Sequence, residues 1–595
     1  MTLNIFNMEE CLREGRTILS NIKDCIDLES VRSILYASVT GIQYESFGQN
    51  RNRCTDHQKI IIRDCSRAFR ALLSRRSDSL VGFSVTQVLW DLSRGIDRSD
   101  LSEAFYAEII HLFRGLKGLA NSSEPDESTM TGLKGREAAV ARSNELDRIW
   151  GKIEHVMSRY HDGFSEDAVS RRNERRGHIL EKTRGSENDW NNWHWQVKNI
   201  ITDSDRLSSM VNLNESEFEA VKKAVAARLP FGVTPYYASL MDNDPEKGRD
   251  MAIRAQVIPT PYYVEKMAAH GDNRAAAFDF MLEADTSPVD LVTRRYPAIV
   301  ILKPFNTCPQ ICVYCQRNWE IDQAMAPGSM AGKKKIEEAC KWIEDHPSIK
   351  EVLVTGGDPL AMSDRAIESI LERLSLIRHV EMIRIGSRTP VTLPMRITAK
   401  FAEMLGKFRK PGIRDICVVT HIEHVYEVTP ELVTAVELLK RQGIGVYNQH
   451  VFTFHVSRRF EASALRRLLR KCGIDPYYTF APKAKEETDE YRVPLARILQ
   501  EQKEESRLMP GTRRTDEPVY NVPGLGKNYL RALQHRDLIS ILPDGSRVYE
   551  FHPWEKNIIK RDSYLGSDIP ILTYLSRLRS IGENPDDYSS IWYYF

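Results

Sequence analysis

Charge of one sign, long apolar runs and signal-like ends are all missing from this 595-residue sequence. Lysine and arginine number 83 against 82 acidic residues, so the net charge of +1 gives no reason to expect a nucleic-acid partner. No run approaches the roughly 18 to 20 apolar residues that a membrane helix needs. The N-terminus lacks the basic-then-apolar pattern of a secretory signal. The sequence therefore predicts a cytoplasmic protein with no membrane partner.

Cysteine is scarce as well, with ten residues in the chain, seven of them scattered and none beyond Cys472. Scattered thiols are typical of a reducing compartment, and they exclude a disulfide framework. The other three fall within eight residues, in the segment Cys308-Pro-Gln-Ile-Cys312-Val-Tyr-Cys315. This grouping indicates a metal site.

From about residue 296 onward, short apolar runs alternate with helical patterns such as 364–376 and 430–441. The candidate strands are 298–302, 351–355, 380–385, 416–420, 444–448 and 476–480. Alternation of apolar strands with helices implies parallel pairing, so the sequence predicts an α/β fold, a partial (β/α)6 barrel. Residues 1 to about 120 carry helix-type spacing instead, which predicts a mainly α-helical N-terminal region.

The three cysteines follow the first candidate strand, at the end where barrels of this type place reactive groups. Thiolates are soft ligands suited to iron–sulfur clusters, and a 4Fe–4S cubane normally takes four of them. With only Cys308, Cys312 and Cys315 close together, one iron is left for an exogenous ligand, a place that S-adenosylmethionine (SAM) can fill. Electron transfer from the cluster would then cleave SAM to a carbon-centred radical. A zinc site is the alternative, but zinc usually takes four ligands and the sequence has no suitable second cysteine pair.

The motif Thr355-Gly-Gly-Asp358-Pro ends the second candidate strand. Paired glycines let the backbone approach a ligand closely. The motif resembles the one that contacts the methionyl amino group in radical SAM enzymes, so Gly356, Gly357 and Asp358 are predicted to bind SAM. A Gly-Gly-Asp triplet alone is more often a turn.

Further motifs resemble the lysine 2,3-aminomutase family of radical SAM enzymes, over about residues 187 to 555. They are Asp189-Trp-Asn-Asn-Trp-His-Trp-Gln-Val-Lys-Asn, Val233-Thr-Pro-Tyr-Tyr-Ala-Ser-Leu, Thr286-Ser-Pro-Val, Arg295-Tyr-Pro, Arg384-Ile-Gly-Ser-Arg-Thr-Pro-Val and Asn448-Gln. The resemblance implies an isomerase that moves the α-amino group of an amino acid to the β-carbon. It implies three cofactors, which are a 4Fe–4S cluster, SAM and pyridoxal 5'-phosphate (PLP). It also implies a reducing flavodoxin- or ferredoxin-type electron donor.

The resemblance gives roles to individual residues. Pro523-Gly-Leu-Gly-Lys527 matches the segment that carries the PLP lysine, although one glycine is replaced and the segment is a residue shorter. Lys527 is therefore expected to bind PLP covalently. Arg295 and Gln449 match cofactor-binding positions, Arg295 near the PLP phosphate, whereas a second family arginine is Ile299 here. Arg317 matches the arginine that holds the substrate α-carboxylate, a task that suits a planar guanidinium.

The lysine enzyme receives the side-chain ammonium of its substrate with two aspartates, and the matching positions here are Lys483 and Asn521. A substrate ammonium beside Lys483 would meet like-charge repulsion, whereas a side-chain carboxylate would gain an ion pair and a donor from Asn521. This pair resembles the glutamate 2,3-aminomutase branch. The predicted reaction is therefore L-glutamate to β-glutamate, with aspartate, lysine and other amino acids as alternatives.

The predicted division of the chain has four parts. These are a helical region of unknown role (1–186), a helical segment packing on the barrel (187–290), the barrel with the cluster (291–510) and a C-terminal segment with Lys527 (511–595). The lysine enzyme has a C-terminal cysteine-rich zinc site that helps assemble its oligomer. This chain has no cysteine after Cys472, so a homo-oligomer would have to assemble in another way.

Two rival hypotheses stay open at this stage. In one, the protein is a radical SAM enzyme without PLP, and Lys527 is structural. In the other, the triad is a non-catalytic iron–sulfur or zinc module for binding or sensing. His421 and His424 after the fourth strand either face the cofactors or only pack. The basic stretch 170–177 is interpreted as a solvated connector, because it is short and isolated.

Overall fold

The fold is that of a computed structural model, which describes residues 6–48, 54–119, 132–552 and 562–595. Helices precede the barrel, and many begin where a side chain accepts a hydrogen bond from the first turn, as Asn7 does from Glu10 N at 2.9 Å. These helices are α1 (Met8–Leu19), α2 (Leu28–Phe47), α3 (Asp56–Leu72), α4 (Arg75–Val81), α5 (Val85–Ser93), α6 (Glu103–Leu116), α7 (Gly135–Met157), α8 (Glu166–Thr183), α9 (Glu187–Trp190), α10 (Trp193–Lys198), α11 (Ser204–Ser208), α12 (Glu215–Ala226), α13 (Pro235–Ala238), α14 (Met251–Arg254), α15 (Pro261–Ala269) and α16 (Arg274–Phe278).

Strands and helices then alternate. In chain order these elements are β1 (Val292–Thr293), β2 (Ile299–Phe305), α17 (Lys333–Glu344), β3 (Glu351–Gly356), α18 (Asp364–Ser375), β4 (Met382–Gly386), α19 (Thr389–Thr392), α20 (Ala399–Gly406), β5 (Asp415–Thr420), α21 (Pro430–Arg441), β6 (Gly445–Val451), α22 (Glu461–Lys471), β7 (Asp475–Phe480), α23 (Leu495–Leu508) and β8 (Glu517–Val522). The C-terminal elements are β9 (Gly526–Tyr529), β10 (Arg536–Ile541), β11 (Arg547–Phe551), β12 (Tyr564–Ser567) and α24 (Ile571–Ser580).

Strands β2 to β8 lie side by side in sequence order and pair in parallel, while the short β1 pairs antiparallel with β2. Val300 lies opposite Val352, which lies opposite Ile383, and all three are fully buried. They share a core with Ile367 and Leu371 of α18, so this strand face packs on the helices and alternate residues face the barrel interior. The predicted partial (β/α)6 barrel is confirmed, with its six strands as β2 to β7.

The chain divides into two compact units. Unit 1 comprises Met1–Lys152, Val493–Arg507 and Lys527–Phe595, and unit 2 comprises Ile153–Arg492 and Leu508–Gly526. In unit 1, Arg547 of β11 donates from Nε to Glu108 Oε1 at 3.0 Å and from Nη2 to Glu108 Oε2 at 2.9 Å. Both side chains are buried, which ties the C-terminal antiparallel sheet to helix α6. The C-terminal residues therefore belong to the same compact unit as the N-terminal helices, whereas the predicted division placed them in separate segments.

The basic stretch 170–177 lies inside α8 of unit 2, and the connector interpretation is wrong. Arg172 and Arg175 are buried. Arg175 Nε donates to Ser239 O at 2.7 Å, and Arg172 Nη1 donates to Gly163 O at 3.2 Å. The aliphatic stems of these arginines pack in the interior while their guanidinium groups satisfy backbone carbonyls.

Within the described ranges, no helix combines the length and the apolarity that crossing a membrane requires.

Candidate active site

The clustered cysteines lie in the loop that follows β2, at the carboxyl edge of the parallel sheet of unit 2. Backbone hydrogen bonds fix this loop, with Ile311 N donating to Gly232 O at 2.9 Å and Cys315 N donating to Cys312 O at 3.2 Å. Cys308, Cys312 and Cys315 form no disulfide, and each residue as a whole is partly exposed. Reactive groups collect at this edge in barrel folds.

Three thiolates from one loop suit a 4Fe–4S cluster. A cubane binds its thiolates through separate irons, and three protein thiolates leave one iron for another ligand. Cys308, Cys312 and Cys315 are the residues that would hold the cluster.

Arg388 brings a buried positive charge to the triad. Its Nη1 donates to Cys312 Sγ at 2.8 Å and its Nη2 donates to Glu427 Oε1 at 2.7 Å. Tyr237 Oη donates to the same Glu427 oxygen at 2.7 Å. Burial lowers the pKa of Arg388, but the negative charges of Cys312 and its other neighbours outweigh burial and raise the pKa well above its ordinary value. Burial raises the pKa of Cys312 in turn, and Arg388 opposes that rise, so Arg388 favours the thiolate that a metal needs.

The Gly-Gly-Asp motif lies directly against the cysteine loop. Asp358 N donates to Thr307 O at 2.9 Å. Gly356 has a φ of +116°, which residues with a Cβ rarely adopt. A Cβ on Gly357 would lie 2.6 Å from the carbonyl carbon of Thr307. Both glycines are therefore needed for the backbone to pass beside the residue before Cys308.

The Asp358 carboxylate is engaged inside the protein. Its Oδ1 accepts from Ser387 Oγ at 2.6 Å and from Leu360 N at 3.1 Å. Its Oδ2 accepts from Arg388 N and Thr389 N, both at 2.9 Å. The side chain thus joins the end of β3 to the turn after β4 that carries Arg388. Direct SAM binding by Asp358 stays a prediction.

Substituting Gly357 by alanine is expected to destabilise the protein by about 1–3 kcal/mol, because the new Cβ overlaps backbone atoms of Thr307 unless the loop moves. Chemical unfolding measures this loss, and the iron content after reconstitution should fall with it. Gly332→Ala is the matched control, because its φ is −63° and nothing lies within 4 Å of its Cβ. A Gly357→Ala protein as stable as this control would contradict the close approach.

Buried charges gather around Glu283, next to the triad. Glu283 Oε2 accepts from Arg317 Nη1 at 2.8 Å and from Lys303 Nζ at 2.9 Å. Glu283 Oε1 lies 3.6 Å from Arg295 Nη2. Burial raises the pKa of Glu283, but Arg317, Lys303 and Arg295 outweigh burial and hold the pKa below its ordinary value. Because Arg317 N also donates to Cys315 Sγ at 3.3 Å, this charge cluster adjoins the cysteine loop.

Arg295 keeps an unfilled edge in this cluster. Its Nε and Nη2 atoms are buried and have no hydrogen-bond partner in the described part of the chain. The corresponding edge of Arg317 is occupied, because its Nη2 makes an ion-pair contact with Glu320. Nε and Nη2 form the edge with which a guanidinium binds a carboxylate or a phosphate in bidentate fashion. Both predicted roles, phosphate binding by Arg295 and carboxylate binding by Arg317, need such an edge.

Lys483 and Asn521 follow paired positions on neighbouring strands. Phe480 of β7 is in register with Val519 of β8. Lys483 lies three residues beyond Phe480, and Asn521 lies two residues beyond Val519. Since β7 and β8 are parallel, both residues lie at the same end of the sheet as the cysteine loop.

The ammonium group of Lys483 is buried among other positive charges. Its Nζ is buried, lies 5.5 Å from the centroid of the Phe280 ring and has no hydrogen-bond partner among the described residues. Burial, and then the positive charges of Lys485 and Arg295, lower the pKa of Lys483 well below its ordinary value. A bound anion would relieve this penalty, and a bound cation would increase it.

Lys527 is the second residue of β9, after a turn at 523–525. Gly524 and Gly526 have φ values of +66° and +88°, so the glycines of this segment shape the turn. Lys527 belongs to unit 1, and its predicted role as the PLP lysine rests on the resemblance.

Gln449 lies on β6, between two buried residues of the opposite strand face. One of these, Asn448, accepts from Ile422 N at 2.7 Å and holds the loop after β5. Gln449 is partly exposed and faces the barrel interior. His424 is buried, its Nδ1 accepts from Tyr426 N at 3.2 Å, and its Nε2 lies 3.1 Å from Glu461 Oε1.

Three residues of this site were not among the predicted ones. Arg388 lies inside a motif quoted above, but nothing in the sequence predicts its contact with Cys312. Lys303 offered a signal, since a lysine inside an otherwise apolar parallel strand is unusual. Glu283 offered none, because Lys303 and Arg317 are 20 and 34 residues away.

Several known proteins are similar to this chain in sequence. The model of the radical SAM superfamily matches residues 302–497. An uncharacterized KamA family protein of Methanocaldococcus jannaschii is 46% identical over 549 residues, which are 89% of this chain and 88% of that protein. Glutamate 2,3-aminomutase of Clostridioides difficile is 36% identical over 52% of this chain and 69% of its own. L-lysine 2,3-aminomutase of Clostridium subterminale is 35% identical over 53% of this chain and 72% of its own.

Proposed function

Because the chain belongs to the KamA, lysine 2,3-aminomutase-like family of radical SAM proteins, we propose that it is a PLP-dependent 2,3-aminomutase of an acidic amino acid, first of all L-glutamate. Radical SAM proteins hold a 4Fe–4S cluster and bind SAM, and the named aminomutases among the relatives are isomerases. The reaction proposed here converts L-glutamate to β-glutamate.

The charge around Lys483 carries the choice of substrate. Its Nζ is buried without a hydrogen-bond partner in the described chain, and Lys485 and Arg295 add positive charge nearby. A substrate carboxylate would pair with Lys483 in this partly desolvated setting, whereas the ammonium of lysine would meet repulsion.

Cys308, Cys312 and Cys315 would hold the cluster, and Lys527 and Arg295 would hold PLP. When bound, the cluster and SAM supply a carbon-centred radical, and PLP supplies a conjugated ring that stabilises radical and charge during amino migration.

The side chains of this protein would bind and orient the amino acid. Arg317 would hold the α-carboxylate in place of its contact with Glu320, while Lys483 and Asn521 would hold the side-chain carboxylate. Fixing both ends of the substrate sets the position of C2 and C3, between which the amino group moves.

Anaerobic incubation of the reconstituted protein with L-glutamate, L-aspartate, L-lysine and L-arginine tests this proposal, with products identified by NMR. We expect β-glutamate. β-Lysine as the sole product would contradict the charge assignment, and no product with intact SAM would contradict the enzyme class.

In the same assay, Lys483→Met is expected to lower kcat/KM for L-glutamate by about 30-fold or more, because truncating one partner of a buried charge pair costs about 2–5 kcal/mol. Lys341→Met is the matched control, since Lys341 is an exposed lysine that pairs with Asp345 at 2.9 Å. Equal kcat/KM values for the two variants would remove Lys483 from the substrate site.

The electron donor and the location complete the proposal. We infer a reducing flavodoxin- or ferredoxin-type donor and a cytoplasmic location. The ten cysteines are all free, as expected for thiols in a reducing compartment.

A further inference from the structure

Lys303 contacts Glu283 and lies in none of the sequence motifs described above. Lys303 lies on β2, whose residues Val300 and Leu302 are fully buried in the core under the helices. Because side chains alternate along a strand, Lys303 is directed into the barrel instead. A lysine placed there is costly unless its charge is used.

We propose that Lys303 is an anion-binding residue of the candidate active site, which receives an oxygen of a bound phosphate or carboxylate together with Arg295 or Arg317. In the protein without ligand, Glu283 occupies these cations and competes with the incoming anion. This inference rests on the proposed function, since the two anions are the PLP phosphate and a substrate carboxylate.

The hydrogen-bond capacity of Lys303 supports this role. An ammonium carries three N–H donors. Within the described chain, Lys303 Nζ makes one hydrogen bond, to Glu283 Oε2 at 2.9 Å, and lies 3.9 Å from a Glu320 oxygen. Donors therefore remain for a ligand.

The charge balance supports it as well. Glu283 and Glu320 together set two carboxylates against three cations, and the Nε–Nη2 edge of Arg295 has no hydrogen-bond partner among the described residues. Burial, and then Arg317, lower the pKa of Lys303, and Glu283 only partly offsets them. An additional anion would stabilise all three cations at once.

The test measures binding and needs no turnover. Dissociation constants for PLP, for pyridoxal (which lacks the phosphate) and for L-glutamate are determined on the full-length, cluster-reconstituted protein, with inorganic phosphate as a competitor of PLP. Lys303→Met is expected to weaken one anion by about tenfold or more, since a hydrogen bond to a charged group contributes about 1.5–3 kcal/mol. Lys303→Arg should restore most of that affinity. Lys335→Met, which removes a surface lysine paired with Asp290 at 2.7 Å, should leave every constant unchanged.

The ligands separate the two sources of the anion. If PLP weakens toward the affinity of pyridoxal, Lys303 binds the phosphate. If L-glutamate weakens and PLP does not, Lys303 binds a substrate carboxylate. Unchanged affinity for both, or equal weakening of PLP and pyridoxal, would overturn the proposal.

Glu283→Gln is expected to change the anion affinity in the direction opposite to Lys303→Met. Removal of its negative charge frees Lys303 and Arg317, so the same anion should bind about threefold more tightly or better. A residue that merely supports the fold would weaken binding in both variants, and that result would also overturn the proposal. Because these are binding constants, a protein that binds phosphate through Lys303 but converts none of the four amino acids would refute the proposed function alone.

Discussion

Replacing Cys312 by alanine is expected to abolish reductive cleavage of SAM and to lower the iron and sulfide content of the anaerobically reconstituted protein. Two thiolates cannot hold a cubane that already relies on three. Arg388 would keep Glu427 at 2.7 Å and Tyr237 at 3.2 Å as partners, so the fold should survive the loss of the sulfur. Metal and sulfide analysis, together with chromatography of 5'-deoxyadenosine, gives the readout.

Cys472→Ala is the control for this variant. Cys472 is a partly buried free thiol at the end of α22, outside the triad, and its loss should leave the cluster and SAM cleavage unchanged. Wild-type turnover in Cys312→Ala would refute the cluster assignment. A cluster without SAM cleavage in the wild-type protein would instead favour a binding or sensing role.

Replacing Lys527 by alanine is expected to remove the visible absorbance band of lysine-bound PLP and to lower aminomutase activity by about 10³-fold or more, because the covalent anchor of the cofactor is lost. Cluster content and SAM binding should stay at wild-type levels, since the cysteines are untouched. Spectra of the PLP-loaded proteins and NMR of the products provide the measurement.

The matched control is Lys247→Ala, which removes an exposed lysine that pairs with Asp244 at 3.0 Å. It should keep both the band and the activity. A band that persists in Lys527→Ala would transfer the anchoring role to another lysine. No band in the wild-type protein would favour the rival hypothesis of a radical SAM enzyme without PLP.

Much of the barrel could be predicted because its strands read as short apolar runs in which alternate residues are buried. Val352 and Ile383, for example, lie in such runs and are fully buried. Strand β8 escaped prediction because its sequence includes Pro518 and Asn521, which argue against a strand inside a sheet. Local composition thus revealed the strands whose residues are mostly apolar, and not β8.

Site residues were accessible to sequence reasoning only where a motif carried them. The cysteine spacing and the paired glycines are local patterns, and the structure places both at the same edge of the sheet. Electrostatic partners are not local patterns. Glu283 meets Arg317 across 34 residues, and Arg388 meets Cys312 across 76, so only the folded chain reveals them.

The grouping of residues in unit 1 could not be predicted from the sequence either, because no local pattern in α6 indicates a contact with β11. Glu108 and Arg547 are separated by 439 residues, yet each is the buried counter-charge of the other. At ribosomal rates of about 5–20 residues per second, on the order of 20–90 s elapse between the synthesis of one partner and the other. During that interval Glu108 has no buried counter-charge. Nascent chains should therefore fold the barrel of unit 2 first and unit 1 last. A chain truncated before Arg547 would leave Glu108 in α6 without its buried counter-charge.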